Sequence, residues 1–166
     1  MKSISAIQDE IDSLYEESKY LYEYWMRKIA DREVKRLQRR DKKERTHYQL
    51  SLEFHGSSFR TRWIHVQFIK HNERIIRVAK PIAVPRNNKY GSVKFKHAEP
   101  WELDLICKIE EVLYPIRVKK SALMKAHQTL IKANKFLNVG CDISMLKQRV
   151  SPTIHTIAKY KQSSSS

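Results

Sequence analysis

From Ile4 onward, apolar residues recur at steps of three, four and seven, placing Ile7, Ile11, Leu14, Leu21, Trp25 and Ile29 on one stripe. No Gly or Pro interrupts the chain before Gly56. The spacing predicts one long amphipathic helix over residues 4–40. Early acids (Asp9, Glu10, Asp12) and late bases (Arg36, Arg39, Arg40) complement the dipole of such a helix. A stripe of this kind either packs into the chain's own core or meets a second copy, so a homodimer through this helix is one expectation.

At Thr46 the period changes to two. In HYQLSLEF, Tyr48, Leu50, Leu52 and Phe54 alternate with Gln49, Ser51 and Glu53, which predicts a half-buried strand. His55-Gly56-Ser57-Ser58 reads as a turn. In FRTRWIHVQFIK, Ile64, Val66 and Phe68 share one face with Arg60 and Arg62, while Thr61, Trp63, His65 and Gln67 share the other. KHNER (70–74) reads as a hairpin loop bending at Asn72, and RIIRVAKPIAV as a third strand that stops at Pro81 or Pro85. SVKFK (92–96) predicts a short fourth strand. Short connections make these an antiparallel meander.

The helical period then returns. Trp101, Leu105, Ile109, Val112 and Leu113 form one face, with Glu99, Pro100 and Glu102 suited to a first turn. Pro115 is expected to break or kink this helix. Ser121 is placed to cap a further helix ending before Asn138 and Gly140, and residues 141–150 read as a short third one. Residues 151–166 are expected to be a poorly ordered tail. The fold class is α+β: a long N-terminal amphipathic helix, a three- to four-stranded antiparallel β-meander, then two or three C-terminal helices. The units run 1–45, 46–97, 98–150 and 151–166, with 46–150 forming one compact domain.

Charge sharpens this outline. The formal net charge is +15, but acids gather in residues 1–31 and 98–114, so the bases are segregated. Residues 46–97 carry 10 bases against Glu53 and Glu73. Such a balance makes nucleic acid the leading partner, and double-stranded DNA is preferred here to single strands. No run approaches the length of a membrane span, and the N-terminus lacks the apolar core of a signal peptide, so no membrane partner and a cytoplasmic location are expected. Cys107 and Cys141 read as buried, reduced thiols of a cytosolic protein.

Catalytic constellations are not found. The seven histidines form no HExxH and no zinc-ligand spacing with cysteine, and three glycines build no phosphate-cradling loop. His71-Asn72-Glu73 reads as a hairpin tip. The chain is expected to be no enzyme and to need no cofactor or metal. Binding is better supported. The candidate nucleic-acid-binding residues are Arg36, Arg39, Arg40, Lys42 and Lys43 at the helix end, and Arg60, Arg62, Trp63, Arg74, Arg77 and Lys80 on the strands. The loop beginning PRNNKYG adds Arg86, Asn87, Lys89, Tyr90, Lys94 and Lys96. Arginine forks pair with phosphate oxygens and rings stack on bases. The alternatives are a solvated basic helix end and a Trp63 that packs in the core.

The order of motifs resembles the MobI-like conjugative transfer proteins of integrative conjugative elements and related plasmids. It runs from Arg62-Trp63-Ile64 through Lys80 to Tyr90 with SVKF. It then continues through Ala98, Trp101 and Glu102 to Glu111 and Arg117. The likeness covers residues 60 to about 136. It implies an accessory factor that binds the origin of transfer and helps a relaxase without cutting DNA. The competing readings are an adaptor joining an acidic protein through the basic surface and first helix, and a metal-dependent nuclease.

Overall fold

The computed structural model describes residues 2–39 and 44–136. The long first helix is α1, Lys2–Gln38. Its stripe is inside: Ile4, Ile11, Leu14, Trp25 and Ile29 are each buried. Strands β1 (Tyr48–His55), β2 (Ser58–His71) and β3 (Arg74–Pro81) form an antiparallel sheet in the order β1-β2-β3. A short 3-10 helix, Ser92–Phe95, leads to α2, Pro100–Phe136.

The helices run antiparallel. Lys119 of α2 pairs with Glu10 of α1 at one end, while Arg32 lies 4.1 Å from the Trp101 ring centroid toward the other. The partner that covers the α1 stripe is therefore within the chain. Both helices lie on one face of the sheet, burying Tyr48, Leu50 and Leu52 of β1 and Phe59, Thr61 and Trp63 of β2. Trp25 meets Trp63 edge-on, with ring centroids 4.8 Å apart. Strand alternation turns Gln49, Ser51, Glu53, Arg60 and Arg62 to the opposite face.

Two connections close tightly. Gly56 at φ 59 turns β1 into β2. Asn72 and Glu73, at φ 45 and 66, make a two-residue turn closed by the His71–Arg74 pair. That geometry suits asparagine and is uncommon for glutamate.

Two expectations are corrected. The fourth strand does not form, because SVKF winds into the 3-10 helix. Phe95 drops into the core against Tyr48, Trp63 and Tyr90, with ring centroids 5.1, 5.7 and 6.0 Å away, while Val93 faces solvent. Burying one ring deeply outweighs pairing a strand at an open edge.

The predicted set of two or three C-terminal helices is one helix among the described residues. Pro115 lies inside α2, and Ser121 is mid-helix rather than a cap. Proline deprives the carbonyl of Glu111 of its N–H, but residues 111 and 115 are both on the exposed side, where water serves that carbonyl. Leu113 and Ile116, on the buried side, hold the helix through the interruption. The predicted helix over 141–150, the tail and Cys141 lie outside the described residues, and Cys107, expected to be buried, is exposed on α2.

A polar chain crosses the core between the layers. Trp63 Nε1 donates to Glu110 Oε1 at 2.7 Å, and the other Glu110 oxygen pairs with Arg117. Arg117 Nε donates to the Asn88 carbonyl at 2.9 Å, and its guanidinium lies 5.0 Å from the Tyr90 ring centroid. Tyr90 in turn donates its hydroxyl to the Ile82 carbonyl at 2.9 Å. The partner of Arg117 is Glu110 rather than its neighbour Glu111. Removing one member of a buried pair strands the other charge, at a cost of about 3–5 kcal/mol. Arg117→Met should lower stability in urea unfolding by that order, and adding Glu110→Gln should restore much of it. A loss under ~1 kcal/mol for Arg117→Met would show that the pair is dispensable.

Candidate nucleic-acid interface

The predicted bases fall into distinct places. Arg36 and Arg39 stand at the end of α1, Arg36 half-buried and Arg39 exposed, while Arg40, Lys42 and Lys43 lie outside the described residues. Arg60 and Arg62 share a single acid. Arg60 Nε donates to Glu53 Oε1 at 3.1 Å, and Arg62 Nε is 2.7 Å from the same oxygen. The trio keeps one net positive charge on the outer sheet face.

Trp63 is 0% exposed and Tyr90 5% exposed, so neither offers a ring for base stacking on this surface. The core reading of Trp63 holds, for a simple reason: β2 alternation puts it on the helix-covered face, beside Trp25. Burial also pushes the Tyr90 phenol up to about 12.

Arg74, Arg77 and Lys80 all lie exposed on β3, and Arg77 donates to Gln49 Oε1 at 2.7 Å. In the loop after β3, Arg86, Asn87 and Lys89 are exposed. Asn87 Oδ1 accepts the Lys89 backbone N–H at 3.2 Å, an Asx turn, and Lys89 lies 5.7 Å from the Tyr114 ring centroid. Lys94 and Lys96 flank Phe95 and face solvent. Lys89 thus stands over α2, while Asn88 of the same loop lines a cleft with Arg60 and Lys120.

A denser grouping forms where β1 begins. The rings of His65 and His97 stack at 4.8 Å with 2° between their planes, and Tyr48 lies 5.1 Å from His65 on the other side. The His65 pKa is lowered, first by burial and then by the charges of His97, His47, Lys80 and Lys96. Five cationic or ionisable groups therefore converge on one patch. A cleft of about 400 Å³ beside them is lined by Arg45, His47, His65, Phe68 and His97 among others. A second cleft of about 320 Å³, holding Arg45 and Phe68 as well, extends the surface to Arg32, Arg36 and Ile75. Glu33 and Glu44 line that second cleft too, Glu44 paired with Arg32, so its three arginines keep one net positive charge beside the histidine patch.

Arg45 and the three histidines were not among the sequence candidates. Their sequence spacing suits no metal, and the described residues hold no group of three or more His, Cys, Asp or Glu placed for a metal ion. The turn at Gly56-Ser57 carried the missing signal, since its register sets Tyr48 opposite His65 and so brings His47 close. Lys120 was also unflagged. Its Nζ donates to the Phe59 carbonyl at 2.7 Å, and burial, with Arg117 and Arg60 nearby, pulls it down to about 8.

Beneath the patch sits Glu102, 0% exposed. Its Oε1 accepts the backbone N–H groups of His47 and Tyr48 at 2.9 and 2.8 Å, fastening the start of β1 to the first turn of α2. Burial pushes its carboxyl up to about 7, against three backbone N–H bonds that favour the anion. Its Oε2 lies 3.6 Å from His47 Nδ1, beyond hydrogen-bond distance, and neither atom has a hydrogen-bond partner among the described residues.

A family model described as MobI protein matches residues 14–131. No curated protein and no solved structure matches the chain. Among the described residues, no helix is long and apolar enough to cross a membrane.

Two titrations follow from the patch. The His65 ring should titrate below 6.5 by NMR, and His97→Ala should move its midpoint upward; an unchanged midpoint would exclude coupling between the stacked rings. For Glu102, a raised folded pKa gives stability that is complete below about 4.5 and lost as pH rises through about 7. Glu102→Gln should therefore flatten the decline in stability between pH 5 and 8 by roughly 2 kcal/mol, at 1.36 kcal/mol per pKa unit. Chemical denaturation at several pH values measures it, and parallel curves for both proteins would refute it.

Proposed function

Since the chain belongs to the MobI family, a family of conjugative transfer proteins, we propose that it is a DNA-binding accessory factor that recognises the origin of transfer and assists the relaxase without cutting DNA itself. One observation carries this reading: Lys80, Lys96, His47, His65 and His97 converge on a single patch, and Arg45 and Arg36 extend it. Like charges held together cost stability in the free protein, and a polyanion relieves that cost. Lys80 and Lys96 have no ion-pair partner among the described residues, which leaves their ammonium groups available to phosphate oxygens.

The proposed partner is duplex DNA. A surface spread over a helix end, strand ends and a short 3-10 helix suits the two phosphate rows of a duplex. Of the tyrosine, phenylalanine and tryptophan rings beside this patch, Tyr48 is buried and Phe68 is exposed, so the patch presents no row of rings for stacking single-stranded bases. Arg60 and Arg62 are secondary contacts in this scheme, because Glu53 already engages both.

A gel shift with an origin-of-transfer duplex and a random competitor, at two salt concentrations, tests the proposal. With about five phosphate contacts, affinity should fall roughly 10²- to 10³-fold between 50 and 200 mM salt. Lys80→Ala with Lys96→Ala should weaken binding to every duplex and reduce the salt slope by about two. Salt-independent binding, or no shift at low salt, would overturn the reading.

A further inference from the structure

Beyond the reach of β1, the β2–β3 ribbon continues alone. β1 pairs with β2 only as far as Tyr48↔His65, and six further pairs, from Val66↔Ala79 to His71↔Arg74, have no third strand beside them. At about 3.4 Å per residue, this arm extends roughly 20 Å from the sheet. Every residue from 68 through 77 is exposed.

Its composition is unusual for a solvated hairpin. Phe68, Ile69, Ile75 and Ile76 are 45%, 46%, 67% and 44% exposed, distributed over both faces of the ribbon. Phe68 and Ile75 line a cleft against the end of α1, yet all four side chains keep over two-fifths of their surface in solvent, and exposed apolar groups of this size mark contact surfaces. Lys70, Arg74 and Arg77 stand among them against one acid, Glu73 at the tip. The partner must therefore offer both negative charge and apolar contact. At the arm's root, Arg45 lies 5.5 Å from the Phe68 ring centroid, and Arg36 lines the same cleft as Phe68 and Ile75.

We infer that this arm lies in the major groove of duplex DNA, with isoleucines and Arg74 reaching base edges while Arg36, Arg45 and Arg77 hold the flanking phosphates. The inference rests on the DNA-binding reading above and adds to it the element that reads sequence. The major groove, about 12 Å wide, admits a two-stranded ribbon in undistorted DNA, whereas the minor groove, about 6 Å wide, must be opened and bent to take one. Major-groove edges also supply the apolar contact the arm needs, since thymine presents a methyl group there. Bases alone would serve for phosphate contact, and the isoleucines would have no role.

The test uses the full chain and two duplexes of about 30 base pairs, one selected by the wild-type protein from a random pool and one scrambled, as a choice of probe suited to major-groove readout. Ile75→Ser with Ile76→Ser changes only exposed side chains and keeps every charge. It should reduce preference for the selected duplex at least ~10-fold, with scrambled-duplex affinity held within ~3-fold. A second variant lacks Ile69, Lys70, Ile75 and Ile76, which shortens the ribbon and keeps its turn and facing. It should abolish protection of guanine N7 from dimethyl sulfate in the selected site. Undiminished preference and N7 protection in both variants would overturn the arm's role while leaving DNA binding intact. Loss of self-association in the shortened variant, with DNA recognition unchanged, would assign the arm to a second copy instead and likewise overturn it. Failure of the wild-type protein to shift any duplex would sink the underlying DNA reading.

Discussion

Glu110 lies inside the core with a carboxylate that water barely reaches, held between the Trp63 indole N–H and the Arg117 guanidinium. A buried charge of this kind is tolerable only when its partners are all in place. That requirement ties three parts of the chain together. Trp63 belongs to β2, Glu110 and Arg117 are two turns apart on α2, and Arg117 reaches on to the Asn88 carbonyl in the loop after β3. Sheet, helix and loop cannot shift separately without leaving one member alone. The apolar contacts of Trp25, Phe95 and Leu113 supply the larger share of burial, but they are non-directional. The polar chain fixes which packing is adopted.

This frame separates two kinds of residue. Trp63, Tyr90, Glu102 and Arg117 face inward and build the structure, whereas Lys80, Arg86, Lys94 and Lys96 project from it. The motif residues of the MobI likeness divide between the two: Trp63, Tyr90, Phe95, Glu102 and Arg117 are buried, while Lys80, Val93, Lys94 and Glu111 face solvent. Glu102 stands between the two groups. It secures β1 to α2 from within, and its free oxygen faces His47 at the rim of the positive patch.

Much of the architecture was legible from periodicity. The stripe from Ile4 to Ile29 marked α1, and the alternation from Tyr48 to Phe54 marked β1, because burial on one side leaves a regular imprint. The failures came where a single contact outweighed a local pattern. SVKF alternates like a strand, yet one phenylalanine in an aromatic cluster decided its path. Pro115 reads as a stop, yet it fell on the wet side of a helix held by Leu113 and Ile116. The candidate surface was harder to read. Glu53 engaging both Arg60 and Arg62 depends on cross-strand register. The gathering of His47, His65 and His97 depends on residues 50 positions apart, and no local pattern announces it.

The grip of Arg117 on the loop falls on a main-chain carbonyl, and Asn88, whose carbonyl it holds, sits at φ 62, a conformation asparagine adopts readily. Such a hold is blind to the side chains on either side of it. Arg86 and Lys89 can therefore be exchanged for other residues while the loop stays anchored, whereas Asn87 closes the Asx turn on Lys89. Divergence at those two positions is mechanically uncoupled from folding, so this rim can drift in charge and shape.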